Sequence, residues 1–224
     1  MRPFLFAALS FVLLCSGSLS ARPASGAGPG LVRVRLETSE GPIVVALDTR
    51  RAPKTTANFL SYVDDGRLDG TTFYRAARRK SDPRFGFIQG GIDTDWRRAL
   101  PPVELEPTSR TGLTHLDATI SMARSDRPNS AMGNFFITVG ATPNMDAAGA
   151  YQGYAAFGRV VGGMDAVRRI LAKPTGGGRG PMRGQKLFDP VILRKAVRLD
   201  GKAKPTGGPR PWLLQIRPPA KKPQ

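Results

Sequence analysis

Leu31-Val32-Arg33-Val34-Arg35-Leu36, Thr38-Ser39-Glu40-Gly41 and Ile43-Val44-Val45-Ala46-Leu47 follow one another near the start of the chain. In the first run apolar residues alternate with arginines, the period of a strand with one buried face. The middle run has turn chemistry. The third run returns as the second strand of a hairpin. Next, Ala52 to Val63 predicts a helix: Pro53 suits its first turn, where a missing N–H costs nothing. Thr56, Phe59, Leu60 and Val63 share one face of it, and Gly66 can end it in a left-handed conformation. Short strand-like runs follow at Thr72–Arg75, Phe87–Gly90, Thr119–Ala123, Phe135–Val139 and Ala156–Val161. Met164–Leu171 reads as a second helix and Val191–Leu199 as a last strand. Seven or eight strands with two helices predict a mainly β fold, a closed antiparallel barrel with the helices over its open ends. Pairing of the last strand with the first would remove the exposed edges.

The chain has 224 residues, 40% of them hydrophobic, enough to bury one core of globular size. Its formal net charge is +17. That charge bears on solubility and on attraction to polyanions, not on fold. Cys15 is the sole cysteine and His115 the sole histidine. A cysteine zinc cluster, a histidine-rich metal site and an intrachain disulfide are therefore excluded, and no metal or cofactor is expected.

The ends read differently from the middle. Arg2, the apolar run Phe4–Cys15 and Ser16-Gly17-Ser18-Leu19-Ser20-Ala21 have the order of a secretory signal peptide. Residues 1–20 are expected to be removed after Ser20, leaving no stable membrane insertion and placing the protein in a periplasm or outside the cell. Residues 21–30 read as a flexible linker and residues 31–200 as the folded domain. Residues 201–224 carry Lys202, Lys204, Arg210, Arg217, Lys221 and Lys222, no acid and several prolines. They predict a basic, disordered tail, in which Trp212-Leu213-Leu214 is an apolar patch able to dock.

Chemical equipment is sparse. Arg75 ends an aromatic-bearing strand, Gln89-Gly90-Gly91 ends another, and Asn134-Phe135-Phe136 lies on a third, with Met145 and Tyr154 after it. Together these can line an apolar pocket with one permanent cation and a few amides. His115 has no nucleophile beside it in sequence and reads as structural. Gly176-Gly177-Gly178 lacks the context of a phosphate loop and reads as a plain loop.

At this point the sequence resembles a family. Phe73-Tyr74-Arg75, Phe87-Ile88-Gln89-Gly90-Gly91, Ile120-Ser121-Met122-Ala123, Asn134-Phe135-Phe136-Ile137 and Tyr154-Ala155-Ala156-Phe157-Gly158-Arg159-Val160 are similar, in this order, to motifs of cyclophilin-type peptidyl-prolyl cis-trans isomerases. Glu37–Ile43 and Ala52–Phe59 resemble the family's opening hairpin and helix, and the likeness runs from about Leu31 to Leu199. It implies a closed eight-stranded antiparallel barrel capped by two helices, and isomerisation of X–Pro bonds without cofactor or metal. It implies that Arg75 is catalytic, that Gln89 holds the arginine or a substrate carbonyl, and that Phe136 floors the proline pocket. By the same resemblance Ala123 and Asn134 dock substrate backbone and Met145 is an apolar wall. Tyr154 stands where many members have histidine, as in the bacterial exported pattern.

The stretch between Arg75 and Gln89 is longer than the family's commonest spacing. The extra residues, Ala77-Arg78-Arg79-Lys80-Ser81-Asp82-Pro83, predict a basic loop over or beside the site. Counting back from Gln89 puts Gly86 where the family usually has phenylalanine, leaving Phe85 or Phe87 to serve. Asn144 lies near the place of a tryptophan that the family associates with cyclosporin, so weak inhibition is expected. Proline-containing unfolded polypeptides are the expected partners, with weak polyanion binding as a side property and a monomer as the unit. The alternatives are a cyclophilin-like chaperone or scaffold with little isomerase activity, and a polyanion-binding module.

Overall fold

The structure, a computed structural model, describes residues 28–214. The expected signal peptide, most of the linker and the end of the tail lie outside the described residues. The opening hairpin is β1 (Leu31–Thr38) and β2 (Gly41–Asp48), paired antiparallel from Leu31 opposite Asp48 to Thr38 opposite Gly41. Val34 and Leu36 of β1 are fully buried while Arg35 faces solvent, as the alternation requires. α1 (Pro53–Asp64) follows, then β3 (Thr71–Arg78) and β4 (Gly86–Gly91). A short α2 (Thr108–Thr111), not expected from sequence, precedes β5 (Thr119–Met122), β6 (Asn134–Val139) and β7 (Ala156–Gly162). α3 (Met164–Ala172), a two-residue β8 (Thr175–Gly176) and the long β9 (Lys186–Arg198) complete the domain.

The strand order is β1-β2-β7-β5-β6-β4-β3-β9, and β9 pairs back onto β1, with Arg35 opposite Val197. Eight antiparallel strands therefore close into a barrel, and β8 is a small ribbon on the outside of β9. Closure leaves none of these eight strands with an unpaired edge along its whole length. α1 packs on β2 and β9; α3 packs on β2, β3, β4 and β6. Phe59 of α1 enters the barrel between Phe135 and Phe157, with ring centroids 5.3 Å away in each case. Phe73 meets Phe135 edge-on at 5.6 Å. Such pairs add about 0.5–1.5 kcal/mol each beyond area burial.

Both ends of α1 are satisfied, one locally and one from afar. At the C-terminus Gly66 takes φ +70°, its N–H reaches the Val63 carbonyl and the Arg67 N–H reaches Tyr62, which is a Schellman turn. At the N-terminus the capping residue is Ala52, which has no side-chain acceptor. Buried Glu106 substitutes: its carboxylate accepts from the amides of Lys54 at 3.2 Å and Thr55 at 2.8 Å, and from the Thr55 hydroxyl at 2.7 Å. A carboxylate there also faces the positive end of the helix dipole.

Three expectations need correction. Ala77 and Arg78 are not loop but the end of β3, paired with Phe87 and Gly86, so the extra residues lengthen the β3–β4 hairpin. They hold this form because the Arg78 guanidinium has a job: it donates to the carbonyls of Leu171 at 2.9 Å and Lys173 at 2.8 Å, at the negative end of α3. Gly176 lies in β8 rather than in a plain loop, because Thr175 and Gly176 pair with Leu187 and Lys186. Residues 201–214 of the tail do not leave the domain. Lys204 donates its amide to Asp64 at 2.9 Å, and Thr206 donates its amide and hydroxyl to Asp65 at 2.7 and 2.6 Å. Trp212 then stacks against Arg67 and Arg98, whose guanidinium carbons lie 4.6 and 5.6 Å from its ring centroid. Two acids at the end of α1 offer acceptors to a basic segment that has no acid of its own.

Candidate active site

Arg75 and Gln89 lie directly opposite each other on β3 and β4. The register slips between Phe73 and Arg75, which makes Tyr74 the extra residue of a bulge. A bulge re-aims side chains, and here Tyr74 and Arg75 both meet Gln89. The Arg75 Nη1 donates to Gln89 Oε1 at 2.8 Å, and Gln89 Nε2 donates to the Tyr74 hydroxyl at 2.8 Å. The end of β4, Gln89-Gly90-Gly91, needs glycine at its last position, because Gly91 has φ +121° and a Cβ there would stand 2.1 Å from the Gly133 carbonyl oxygen.

Two further acceptors hold the guanidinium. Nε donates to Gln185 Oε1 at 2.8 Å and Nη2 to the Pro181 carbonyl at 3.1 Å. Of five N–H groups on a guanidinium, three are thus committed and two remain for another acceptor. The Arg75 charge also lies 4.9 Å from the Phe87 ring centroid, a cation–π contact. Burial pulls the Arg75 pKa down, opposed by Tyr74 and Tyr154, and a guanidinium keeps its proton regardless. Burial is also the main reason that the Tyr74 hydroxyl is pushed well up, so it stays a neutral partner for Gln89.

Phe136, only 3% exposed, is the hub of the pocket. Phe87 packs on it at 5.4 Å, Tyr154 meets it edge-on at 5.5 Å and 88°, and the His115 ring stacks beneath it at 5.7 Å and 12°. His115 is fixed from both ring nitrogens. A neutral ring with its proton on Nδ1 donates to Asp146 Oδ1 at 2.6 Å and accepts at Nε2 from the Ser121 hydroxyl at 2.9 Å. Burial keeps the imidazole pKa below its ordinary value despite the pull of Asp146. The Tyr154 ring is covered by Arg124, 4.9 Å away, whose Nε and Nη2 donate to the Gly153 carbonyl at 2.9 and 2.7 Å.

The other residues expected at the site divide. Met145 ends a short turn (Pro143–Met145) and lines, with Arg75 and Phe87, a cleft of about 240 Å³. Ala123 and Asn134 line a neighbouring groove of about 370 Å³ that also contains Gln89, Trp96 and Met132. The Asn134 amide itself is occupied: it accepts from the Asp93 amide at 2.8 Å and donates to the Asp93 carbonyl at 2.9 Å. Its side chain braces the backbone at Asp93, where φ is +49°, and one of its N–H groups lies beyond these two bonds. Phe85 is not brought to the site. Its ring covers Gly140, and Arg79 and Arg84 flank it at 5.5 and 5.9 Å. The longer hairpin carries it away and leaves Phe87 beside Arg75.

Sequence reasoning missed Tyr74, Gln185 and the Pro181 carbonyl. Tyr74 sits in the quoted motif, but strict strand alternation would send it to the face opposite Arg75. Gln185 lies 110 residues from Arg75 in sequence, within a glycine-rich segment that gives no periodic signal.

Residues 33–194 match the family model described as cyclophilin type peptidyl-prolyl cis-trans isomerase/CLD. The chain is 40% identical over 175 residues to peptidyl-prolyl cis-trans isomerase cyp18 of Streptomyces antibioticus, covering 73% of this chain and 96% of that protein. It is 38% identical over 155 residues to peptidyl-prolyl cis-trans isomerase A of Dickeya dadantii, covering 68% of this chain and 78% of the relative. A crystal structure of a cyclophilin type isomerase from Cryptosporidium parvum superposes with TM-score 0.61 over 77% of this chain and 99% of its own, at 22% identity, a likeness of fold. That protein has also been crystallised in the presence of the dipeptide Ala-Pro, with a TM-score of 0.60 to this chain. The family model spans the barrel from β1 to β9 and the Streptomyces relative aligns over nearly all of its own length, so this chain belongs to the cyclophilin-type peptidyl-prolyl cis-trans isomerases.

Proposed function

We infer that the chain catalyses cis–trans isomerisation of X–Pro bonds in polypeptides, with Arg75 as the catalytic residue. The observation that carries this reading is the tethered guanidinium of Arg75, with two N–H groups to spare, beside the aromatic cluster of Phe87, Phe136 and Tyr154. Rotation about an X–Pro bond is opposed by amide resonance, a barrier of about 18–20 kcal/mol. Uncatalysed exchange takes tens to hundreds of seconds. No covalent bond changes, so no nucleophile is required. A donor aimed at the proline nitrogen favours its pyramidal, twisted form, in which the lone pair is no longer shared with the carbonyl. A group that donates without losing its charge suits this task, and arginine is that group. Phe136 and Phe87 would hold the pyrrolidine ring, Met145 and Tyr154 would wall it, and Gln89 would fix the arginine while Ala123 offers backbone to the peptide. Related isomerases from Streptomyces and Dickeya support the activity. The test is exchange of a proline tetrapeptide with and without the protein. The expected result is a rate rising in proportion to protein concentration; a rate equal to the uncatalysed one at micromolar protein refutes the reading.

The protein is exported and works on proteins outside the cytoplasm. The support is the order of residues 1–21, and the tyrosine at position 154 in place of the commoner histidine. N-terminal sequencing of the protein recovered from its native cell tests this. A chain beginning at Ala21 in the periplasm or medium is expected, and a cytoplasmic chain still carrying residues 1–20 contradicts it.

A further inference from the structure

We propose that the β3–β4 hairpin extension builds a second subsite, next to the prolyl pocket, that takes an acidic side chain of the substrate close to its proline. This deepens the isomerase reading and rests on it. The cleft of about 240 Å³ is walled by Arg75, Phe87 and Met145 on the side of the aromatic cluster. Its far side is made by Arg78, Arg79 and Gly86 of the extended hairpin, and Thr142, Asn144 and Gln185 complete the lining. Three guanidinium groups border the cleft and no carboxylate does.

The three cations are not equivalent. Arg75 commits three of its five N–H groups to Gln89, Gln185 and Pro181, and the other two are assigned to the prolyl bond. Arg78 is spent on the last carbonyls of α3 and on the Thr175 hydroxyl at 2.8 Å, so its charge partly answers the helix dipole. Arg79 is exposed and uses only Nη2, which donates to the Ala141 carbonyl at 2.7 Å. No ion pair ties it to a carboxylate among the described residues. The acid in its own loop, Asp82, is turned to Arg84, accepting from Nε at 3.0 Å and from Nη2 at 2.8 Å. Arg79 is therefore anchored at one nitrogen, keeps its remaining N–H groups available and presents a charge to a cleft with no acid in it. A bidentate contact to a carboxylate is what such a fork suits. Because Arg75 and Phe87 belong to both the cleft and the prolyl pocket, the carboxylate must come from a residue near the proline.

The test is a peptide scan. One glutamate is moved through the three positions on each side of an Ala-Pro unit, and kcat/KM is compared with the all-alanine parent at low salt. The expected result is a preference of about threefold or more for glutamate at one position or adjacent positions, the size of an exposed ion pair. It should shrink at 0.5 M NaCl, where the Debye length falls to a few Å. In Arg79→Ala the glutamate-to-alanine ratio should fall toward one, and in Arg79→Glu below one. A flat scan in the wild type, or a preference that survives in both variants, overturns the subsite. Turnover of the all-alanine peptide reports on the isomerase reading separately: a flat scan with normal turnover removes the subsite alone, and no turnover of any peptide removes both.

Discussion

At the scale of single residues, the pairing of Arg75 with Gln89 is legible and the other supports of the guanidinium are not. Arg75 and Gln89 face each other across one strand pair, so two short motifs suffice to bring them together. Gln185 reaches Arg75 from the far end of the domain, through a contact that no local pattern announces. If Arg75 is catalytic, Gln185 positions it, and removing Gln185 should loosen the guanidinium without emptying the pocket. Gln185→Ala is expected to lower kcat about fivefold, within the worth of a hydrogen bond to a charged group, with KM little changed. Gln185→Glu, which keeps an acceptor, should restore most of the loss; equal rates for Gln185→Ala and the wild type would show that the contact is idle. His115 reads from sequence only as a structural residue, and its burial directly under Phe136 is a product of tertiary packing. Its pKa is depressed by burial, so the unfolded chain takes up a proton near pH 6.5 that the folded chain refuses. Stability linked to His115 is complete above that pH and is lost as pH falls below it. Chemical denaturation at pH 7.5 and 5.5 should show a smaller pH-dependent loss in His115→Gln than in the wild type, and an equal loss would assign the effect to other groups.

Among the elements, strands with one buried face and the helix α1 follow from periodicity, because alternation and the 3.6 repeat are local properties. The ends of elements are less local. Gly66 announces the C-terminus of α1, whereas its N-terminal cap comes from Glu106, fifty-one residues beyond Thr55. Glu106→Ala should therefore destabilise the protein by about 2 kcal/mol, since it removes a helix cap and leaves buried amides without a partner. Urea unfolding measures this directly, and a change below about 0.5 kcal/mol would mean that water or another group replaces the cap. The extended hairpin shows the limit in another form. Ala77-Arg78 has no strand-like alternation, and it becomes strand because Arg78 finds the carbonyls at the end of α3.

For the molecule as a whole, barrel closure is readable because the first and last runs are both strands and each needs a partner. The fate of the tail is readable only in Trp212-Leu213-Leu214, the apolar patch able to dock. Its composition is that of a disordered segment, but Asp64 and Asp65 at the end of α1 accept its amides, and Arg67 and Arg98 enclose Trp212. Composition counts what a segment can bury by itself and misses the acceptors another element offers. Trp212→Ala in the full chain is expected to lower the melting temperature by roughly 3–6 °C, the equivalent of about 1–2 kcal/mol. An unchanged melting temperature would mean that the docked tail adds no stability.

The proposed isomerase turns on the single guanidinium of Arg75, and one comparison of variants tests that role. Isomerisation of a proline tetrapeptide should be measured for the wild type and for Arg75→Ala, with a thermal melt of each to show that both are folded. The predicted result is a folded variant whose kcat/KM is lower by at least about tenfold, which corresponds to about 1.4 kcal/mol of transition-state stabilisation. Equal kcat/KM for two folded proteins would contradict a catalytic role for Arg75.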